Sequence, residues 1–292
     1  MIIRAFGMTD VGLVRTNNED SFLIADHNDI ISPDDPFSCV ETEEANIFLV
    51  ADGMGGANAG EVASRMAVDL VARSIIDQTK NKRALGRSRF IKAFRRAVQE
   101  ANRIMFEEAQ SNSQSRGMGT TLTAAAVCGT AVYFAQLGDS RAYLLRNGAI
   151  TQMTKDQSLV AQLVAAGSLS PEDAKVHPRR NVILQALGVQ RHVDVVMSFA
   201  ELKQGDEIVL CSDGLWGKVE PEEIAEIVER DDGPGACRNL IELARQRGGD
   251  DNITVILAQF DGDGLPLPTE GDAPVYERVK ENSGWRLWLR RE

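Results

Sequence analysis

Six acidic residues at five places share one setting, the end of a strongly apolar, strand-like run. Glu19 and Asp20 precede Phe22-Leu23-Ile24. Asp52 follows residues 47–51, Asp139 follows 133–137, Asp213 follows 208–211, and Asp251 precedes 253–257. Taken singly, an Asp beside Gly punctuates a turn and carries no functional weight. The recurrence is harder to dismiss. Some of these residues start a strand and others end one, so antiparallel strands can bring both kinds to one edge. Two like charges ~4 Å apart repel by ~4 kcal/mol at an effective dielectric of ~20. Several such pairs would offset the ~5–15 kcal/mol that holds a domain together, so a cluster needs cations or protons. The chain has three histidines, His27, His177 and His192, and four dispersed cysteines, Cys39, Cys128, Cys211 and Cys237, without a C-x-x-C pair. That argues against a zinc site of nitrogen and sulfur ligands. All-oxygen ligation selects Mn2+ or Mg2+, and this many carboxylates can hold more than one ion.

Two divalent ions a few Å apart can ionise a bridging water near neutral pH and neutralise a phosphoryl group during in-line attack. Phosphate monoesters are among the slowest bonds to hydrolyse in water, so their cleavage demands such machinery. Arg15, four residues before Glu19, offers a planar fork for two phosphate oxygens; otherwise it is a solvated surface arginine. The stretch V-A-D-G-M-G-G (50–56) sets three glycines behind Asp52. Such a loop can cradle phosphate, or leave a carbonyl free beside an ion.

Positioning these groups falls to strand-like runs at 22–24, 46–51, 122–127, 131–137, 141–145, 207–211 and 253–260, several separated by hairpin-length turns such as Cys128-Gly129-Thr130 and Asn147-Gly148. Short gaps of that kind predict antiparallel sheet. Helical stripes run through Val62, Met66, Leu70, Val71 and Ile75, and through Phe90, Phe94, Ala97, Val98, Ala101, Ile104 and Met105, with Ser88 as the expected N-cap. Further helices are expected at 159–166, 221–229 and 236–247, the last stopped by Gly248-Gly249. Residues 28–44 read as a long acidic loop. Pairs of helices between runs of strands predict a layered domain.

With 292 residues, 43% of them hydrophobic, the chain can bury a large core. A formal charge of −11 makes it a poor partner for nucleic acid. No apolar run approaches the ~20 residues of a membrane span, and Met1-Ile2-Ile3-Arg4-Ala5 does not begin a signal peptide. A soluble, cytoplasmic protein is expected. The composition shifts after Phe260: residues 261–274 read as a linker, and 275–292 as a short basic tail with Trp285 and Trp288. The tail is either a mobile end resting on the protein's own surface or a docking peptide for a partner or an anionic membrane face.

The ordered motifs R-T-N-N-E-D (15–20), V-A-D-G-M-G-G (50–56), G-M-G-T-T-L-T-A-A (117–125), L-G-D-S-R-A-Y-L (137–144), C-S-D-G-L-W (211–216) and G-G-D-D-N-I-T-V (248–255) resemble the metal-dependent serine/threonine protein phosphatases of type 2C, the PPM family. Residues 151–188 resemble its bacterial branch. The likeness covers about residues 4–260. It implies an α+β fold, a four-layer αββα sandwich of two antiparallel sheets flanked by helices, with metals in a cleft at one end. It implies hydrolysis of phosphoserine and phosphothreonine by a hydroxide bridging two Mn2+ or Mg2+ ions, in opposition to a bacterial Ser/Thr kinase and on that kinase's substrates. Asp52 would bridge the ions, the Gly53 carbonyl would bind one, and Asp213 and Asp251 the other. Glu19 and Asp20 match positions that ligate directly or through water. Asp139, with Asp213, matches a third and weaker metal position, while Gly217 stands where some members place another aspartate for it. Arg15 matches the phosphate-gripping arginine, Asn252 a position beside the site, and residues 157–181 the flap beside the cleft. Met54 stands where eukaryotic relatives carry a histidine that can serve as general acid. A thioether cannot donate a proton, so metal-bound water would protonate the leaving oxygen. Two other functions fit the same motifs less well: a docking module that keeps the fold without turnover, and a phosphatase for small molecules.

Overall fold

The computed structural model describes residues 1–26, 30, 40–42, 46–55, 59–79 and 86–280. In chain order the strands are β1 (Ile2–Asp10), β2 (Asp20–Ala25), β3 (Val40–Thr42), β4 (Ile47–Met54), β5 (Gly119–Thr120), β6 (Leu122–Cys128), β7 (Ala131–Leu137), β8 (Arg141–Arg146), β9 (Ala149–Gln152), β10 (Val196–Glu201), β11 (Glu207–Cys211), β12 (Ile253–Asp261) and β13 (Glu277–Arg278). The helices are α1 (Ala59–Thr79), α2 (Arg87–Ser111), α3 (Leu159–Ala165), α4 (Pro171–Val176), α5 (Asp213–Trp216), α6 (Pro221–Arg230) and α7 (Gly233–Gln246). One sheet has the order β3-β1-β12-β11-β8-β9, the other β13-β10-β7-β6-β4-β2 with β5 paired to β4. Every described strand pairing is antiparallel.

Alternation along the strands builds four layers, because successive side chains leave a strand on opposite faces. Phe22, Ile24, Phe48, Val50, Ala142, Leu144, Ile208, Leu210, Ile256 and Phe260 fill the space between the sheets. Their neighbours Leu23, Ile47, Leu49, Ala124 and Ala126 face the other way, against Ala63, Val71 and Ile75 of α1 and Phe94, Val98 and Met105 of α2. On the far side Tyr143, Val209, Val255 and Leu257 meet Leu215, Ile224 and Leu240 of α5, α6 and α7. The expected αββα sandwich is the fold of this chain. Both faces of the central strands are buried, which is why they read as continuous apolar runs.

The expected strands all form. Unexpected were β1, β5, β9, β10, α4 and α5, together with β3, which lies within the expected loop at 28–44, and β13, which lies within the expected tail. In β1 the apolar pattern is broken by Arg4, Gly7, Thr9 and Asp10, and pairing at nine positions along β12 and three along β3 defines it. In α4 no residue is buried; Ser170 caps it by accepting from the Asp173 amide, and Pro171 sits in its first turn. Helix α2 is capped at Gly86, not Ser88, which lies inside the first turn. Helix α7 starts at Gly233, three residues before the expected 236, because the Asp232 carboxylate accepts from the Gly235 amide.

Residues 262–274 have no regular structure but are held to the domain. Leu265 is buried in the layer between the sheets. Asp272 pairs with Arg146 and Lys203, and Asn147 donates to the carbonyls of Thr269 and Asp272. The chain then adds β13 to the edge of β10. Residues 281–292, with both tail tryptophans, lie outside the described residues, as does most of the expected acidic loop at 28–44. No described helix is long and apolar enough to cross a membrane.

Candidate metal centre

Strand register sets the first pair. In the β2–β4 ladder Asp20 stands directly opposite Asp52, so their Cα atoms are ~4.5–5.5 Å apart. The Asp52 backbone is fixed from both sides: its amide donates to Thr121 Oγ1 at 2.9 Å, and its carbonyl accepts from the Thr121 amide and Thr120 Oγ1 at 2.9 and 2.8 Å. The Gly53 amide donates to the Glu19 carbonyl at 3.0 Å. A Cβ on Gly53 would stand 2.1 Å from the Gly60 carbonyl oxygen, and one on Gly60 would stand 2.6 Å from the Glu19 carboxyl carbon. These glycines let the first turn of α1 close onto Glu19.

The other sheet supplies the remaining groups. Asp213 opens α5 directly after β11, and Asp251 lies two residues before β12. Asp20 ties the sheets together: its Oδ2 accepts from Ser212 Oγ at 2.6 Å and from Thr254 Oγ1 at 2.7 Å. Thr9 Oγ1 lies 2.7 Å from Thr254 Oγ1 and extends the hydroxyl chain into β1. Asn252 stitches loops: its Oδ1 accepts from the Glu19 amide, while its Nδ2 donates to the carbonyls of Val11 and Asn17. Arg15, half exposed, donates to Asp251 Oδ2 at 2.8 Å. Asp139 sits in the tight turn between β7 and β8, 5% exposed.

The carboxylates act on one another as the spacing required. Burial first, and then Asp213, Asp20, Asp139 and Asp251, hold the Asp52 carboxyl well above the usual carboxylate range. Burial pushes Asp20 up to about 7 against the pull of the Ser212 and Thr254 hydroxyls. Burial and Asp213 push Asp139 up to about 7. Asp213 rises to about 6 through burial and Asp251, and Asp52 moderates the rise by sharing a hydrogen bond with it. Burial raises Glu19 too, opposed by Arg15. Asp20, Asp52, Asp139, Asp213 and Asp251 therefore form one electrostatic cluster, with Glu19 and Arg15 at its rim.

The groups present fit a hard divalent cation. Their donors are all oxygen, as Mn2+ and Mg2+ require. Asp139 Oδ1 and Asp213 Oδ1 are buried without a hydrogen-bond partner, a costly condition for carboxylate oxygens unless a cation or proton meets them. Among the described residues no three Asp, Glu, His or Cys side chains already converge on one point as a ligand set. Instead, Asp251 leans to Arg15 and Asp52 bonds to Asp213.

Sequence reasoning missed the hydroxyls of Ser212, Thr254, Thr121 and Thr120. Their signal was present: each stands within two residues of an acidic position or of the strand beside it. What hid it is that Ser and Thr are equally common in turns. Gly217 caps α5. His177 donates nothing to the centre; its Nδ1 accepts from the Arg179 amide at the far end of α4. The expected flap carries α3 and α4, neither with a buried residue.

Comparison with known proteins agrees with this geometry. The family profile described as Protein phosphatase 2C matches residues 27–234. A serine/threonine phosphatase stp of Listeria monocytogenes is 39% identical over 255 residues, which is 87% of this chain and 94% of that protein. The crystal structure of the Mycobacterium tuberculosis serine/threonine phosphatase PstP/Ppp superposes with a TM-score of 0.75 at 35% identity, covering 90% of this chain and 100% of that one. The catalytic domain of PstP in complex with two manganese ions gives a TM-score of 0.73 at 34% identity, covering 89% and 99%.

Proposed function

Because this chain belongs to the protein phosphatase 2C family, as a metal-dependent protein serine/threonine phosphatase of its bacterial branch, we propose that its acidic cluster holds two Mn2+ or Mg2+ ions and that it reverses the action of a Ser/Thr kinase. Asp52 and the Gly53 carbonyl, with Asp213, Asp251, Glu19 and Asp20, would hold the pair; Asp139 and Asp213 offer a further, weaker position. When bound, the ions supply a water nucleophile active near neutral pH and neutralise charge on the phosphoryl group.

The chain's own groups do the rest. The β2–β4 register and the Thr120 and Thr121 bonds keep Asp52 in place, where a displacement of ~0.5 Å already matters. Ser212 and Thr254 occupy one oxygen of Asp20 and leave the other for the centre. Arg15 is exposed enough to turn from Asp251 towards a phosphate and to grip two of its oxygens. The thioether of Met54 has no proton to give to the leaving serine or threonine oxygen. Phosphorylated serine and threonine side chains on proteins are the substrates, and the exposed helices of residues 157–181 border the cleft where such a chain would lie. The net charge disfavours nucleic acid. Four scattered cysteines without a C-x-x-C pair accord with the reducing cytoplasm.

The observation that carries this reading is the buried acidic cluster at the joint of the two sheets, with Asp139 Oδ1 and Asp213 Oδ1 unpartnered. The test is phosphate release from a phosphothreonine peptide and from a small phosphate ester, with and without manganese. Manganese-dependent release, faster from the peptide and abolished in Asp52→Asn, is expected. Full activity in Asp52→Asn would overturn the assignment, and a preference for the small ester would move the substrate class away from proteins.

A further inference from the structure

Within the L-G-D-S-R-A-Y-L motif, Arg141 plays no part in the centre as described. Its guanidinium lies 3.6 Å from the centre of the Trp216 ring. It donates to Asp156 from Nε at 3.1 Å to both oxygens and from a terminal nitrogen at 2.7 Å, and to the Tyr143 hydroxyl at 3.2 Å. Gln152 Nε2 adds a bond to Asp156 Oδ1 at 2.8 Å. The ion pair is enclosed, its side chains 21% and 11% exposed.

These contacts join three pieces of chain that each lead to the centre or to its border. Arg141 follows Asp139 by two residues. Trp216 ends the four-residue helix α5 that Asp213 begins. Asp156 is the last residue before the segment 157–181. Its neighbour Gln157 holds the opposite side of the same turn: its amide donates to the Gly138 carbonyl at 2.8 Å and its Oε1 accepts from the Gly138 amide at 3.1 Å. The root of the flap thus grips the Asp139 turn from both sides and, through the stacked ring, the far end of the Asp213 helix. A lysine could not do this, because it has neither the fork for Asp156 nor the flat face for Trp216. The other enclosed arginine pair of β8, Arg146 with Asp206, lies at the opposite end of the strand and bonds to the Glu201 carbonyl and Asp272.

We propose that Arg141 is a positioning residue which, with Asp156 and Trp216, sets the Asp139 and Asp213 carboxylates relative to the flap, so that displacement of the flap is transmitted to the metal centre. The proposal rests on the assignment of Asp139 and Asp213 as ligands. It distinguishes this buried stack from ordinary core packing, which would stabilise the fold without setting metal affinity.

The test uses the full chain. Manganese binding is measured by calorimetry, and by Trp216 emission in a background of Trp285→Phe and Trp288→Phe. Arg141→Lys and the near-isosteric Asp156→Asn should each weaken manganese binding about tenfold, as loss of a group that orients a ligand does. The double variant should be no weaker than either single one, because both remove one linkage. The manganese-induced change in Trp216 emission should shrink in both. Arg146→Lys should lower the melting temperature and leave manganese binding unchanged. Wild-type binding in Arg141→Lys and Asp156→Asn, additive losses, or an equal loss in Arg146→Lys would overturn the proposal. Asp213→Asn separates the two levels. If it binds manganese as the wild type does, the ligand assignment fails. If it loses binding while Arg141→Lys keeps it, only the positioning role fails.

Discussion

Replacing Asp139 by asparagine should make the metal-free protein more stable, although it removes a group proposed to serve the centre. Asp139 is nearly fully buried, and burial together with Asp213 and Asp156 pushes its carboxyl from 3.8 to about 7. A carboxyl whose folded value is raised supports the fold while it stays protonated. That support is complete below about 3.8 and is lost as pH rises towards 7. At pH 8 the ionised group therefore costs the fold the difference between about 7 and 3.8, at ~1.4 kcal/mol per pH unit, or about 4 kcal/mol. Asparagine has a similar shape and no charge to desolvate. In the presence of a chelator, Asp139→Asn should gain about 4 kcal/mol at pH 8. The gain should fall to about 2 kcal/mol at pH 5, where only the stretch from 3.8 to 5 counts. With an unfolding entropy of ~2.1 cal/mol/K per residue, the pH 8 gain corresponds to a melting temperature roughly 7 °C higher. Thermal unfolding at the two pH values, with chelator and with millimolar manganese, measures it. In manganese the gain should vanish, because cations then meet the charge. A metal-free variant no more stable than the wild type at pH 8, or a gain that does not shrink at pH 5, would refute the argument that Asp139 is buried against its neighbours' charge.

Other outcomes follow from the same geometry. Removing manganese from the wild type should lower its melting temperature by about 4 °C relative to metal at a hundredfold excess over its dissociation constant, which stabilises by ~2.7 kcal/mol; differential scanning calorimetry reads this. Arg15→Lys keeps the charge but loses the fork, and kcat/KM for a phosphopeptide should fall roughly 10- to 100-fold, mostly through KM, as expected for a charge-assisted hydrogen bond of ~1.5–3 kcal/mol. Gly60→Ala sets a methyl group 2.6 Å from the Glu19 carboxyl carbon; it should cost ~1–3 kcal/mol in denaturant unfolding and weaken manganese binding. Phe48→Ala opens the layer between the sheets at a fully buried ring and should cost ~3–5 kcal/mol in the same measurement.

The fold was legible where physical signals were local and strong. The runs at 46–51, 122–127 and 131–137 are apolar on both strand faces, and their type is plain without a partner. Strand β1 was not legible, because Gly7 sits under the Phe22 ring and the exposed Arg4 with Thr9 and Asp10 breaks the apolar pattern. Its conformation depends on nine residues of β12 located some 250 positions away in the chain. The strap of residues 262–274 reads as a linker because Gly, Pro and Asp fill it; what holds it are ion pairs to Arg146 and Lys203 and the burial of Leu265, contacts invisible until β8 and β10 are in place.

The chemistry of the centre could be read from residue types and their spacing. Oxygen donors at strand ends, with scarce histidine and scattered cysteine, left magnesium or manganese as the fitting ions, and the order of the motifs identified the family. The sequence could not say how the carboxylates share their neighbours. The packed fold alone shows that Asp20 faces Asp52 across a ladder while Ser212 and Thr254 hold its second oxygen, that Asp139 is buried, and that Arg141 stacks between the flap root and the helix of Asp213. Those relations join residues from two sheets across as many as 234 positions. They are fixed by strand register and by the packing of one sheet on the other, which no local pattern encodes.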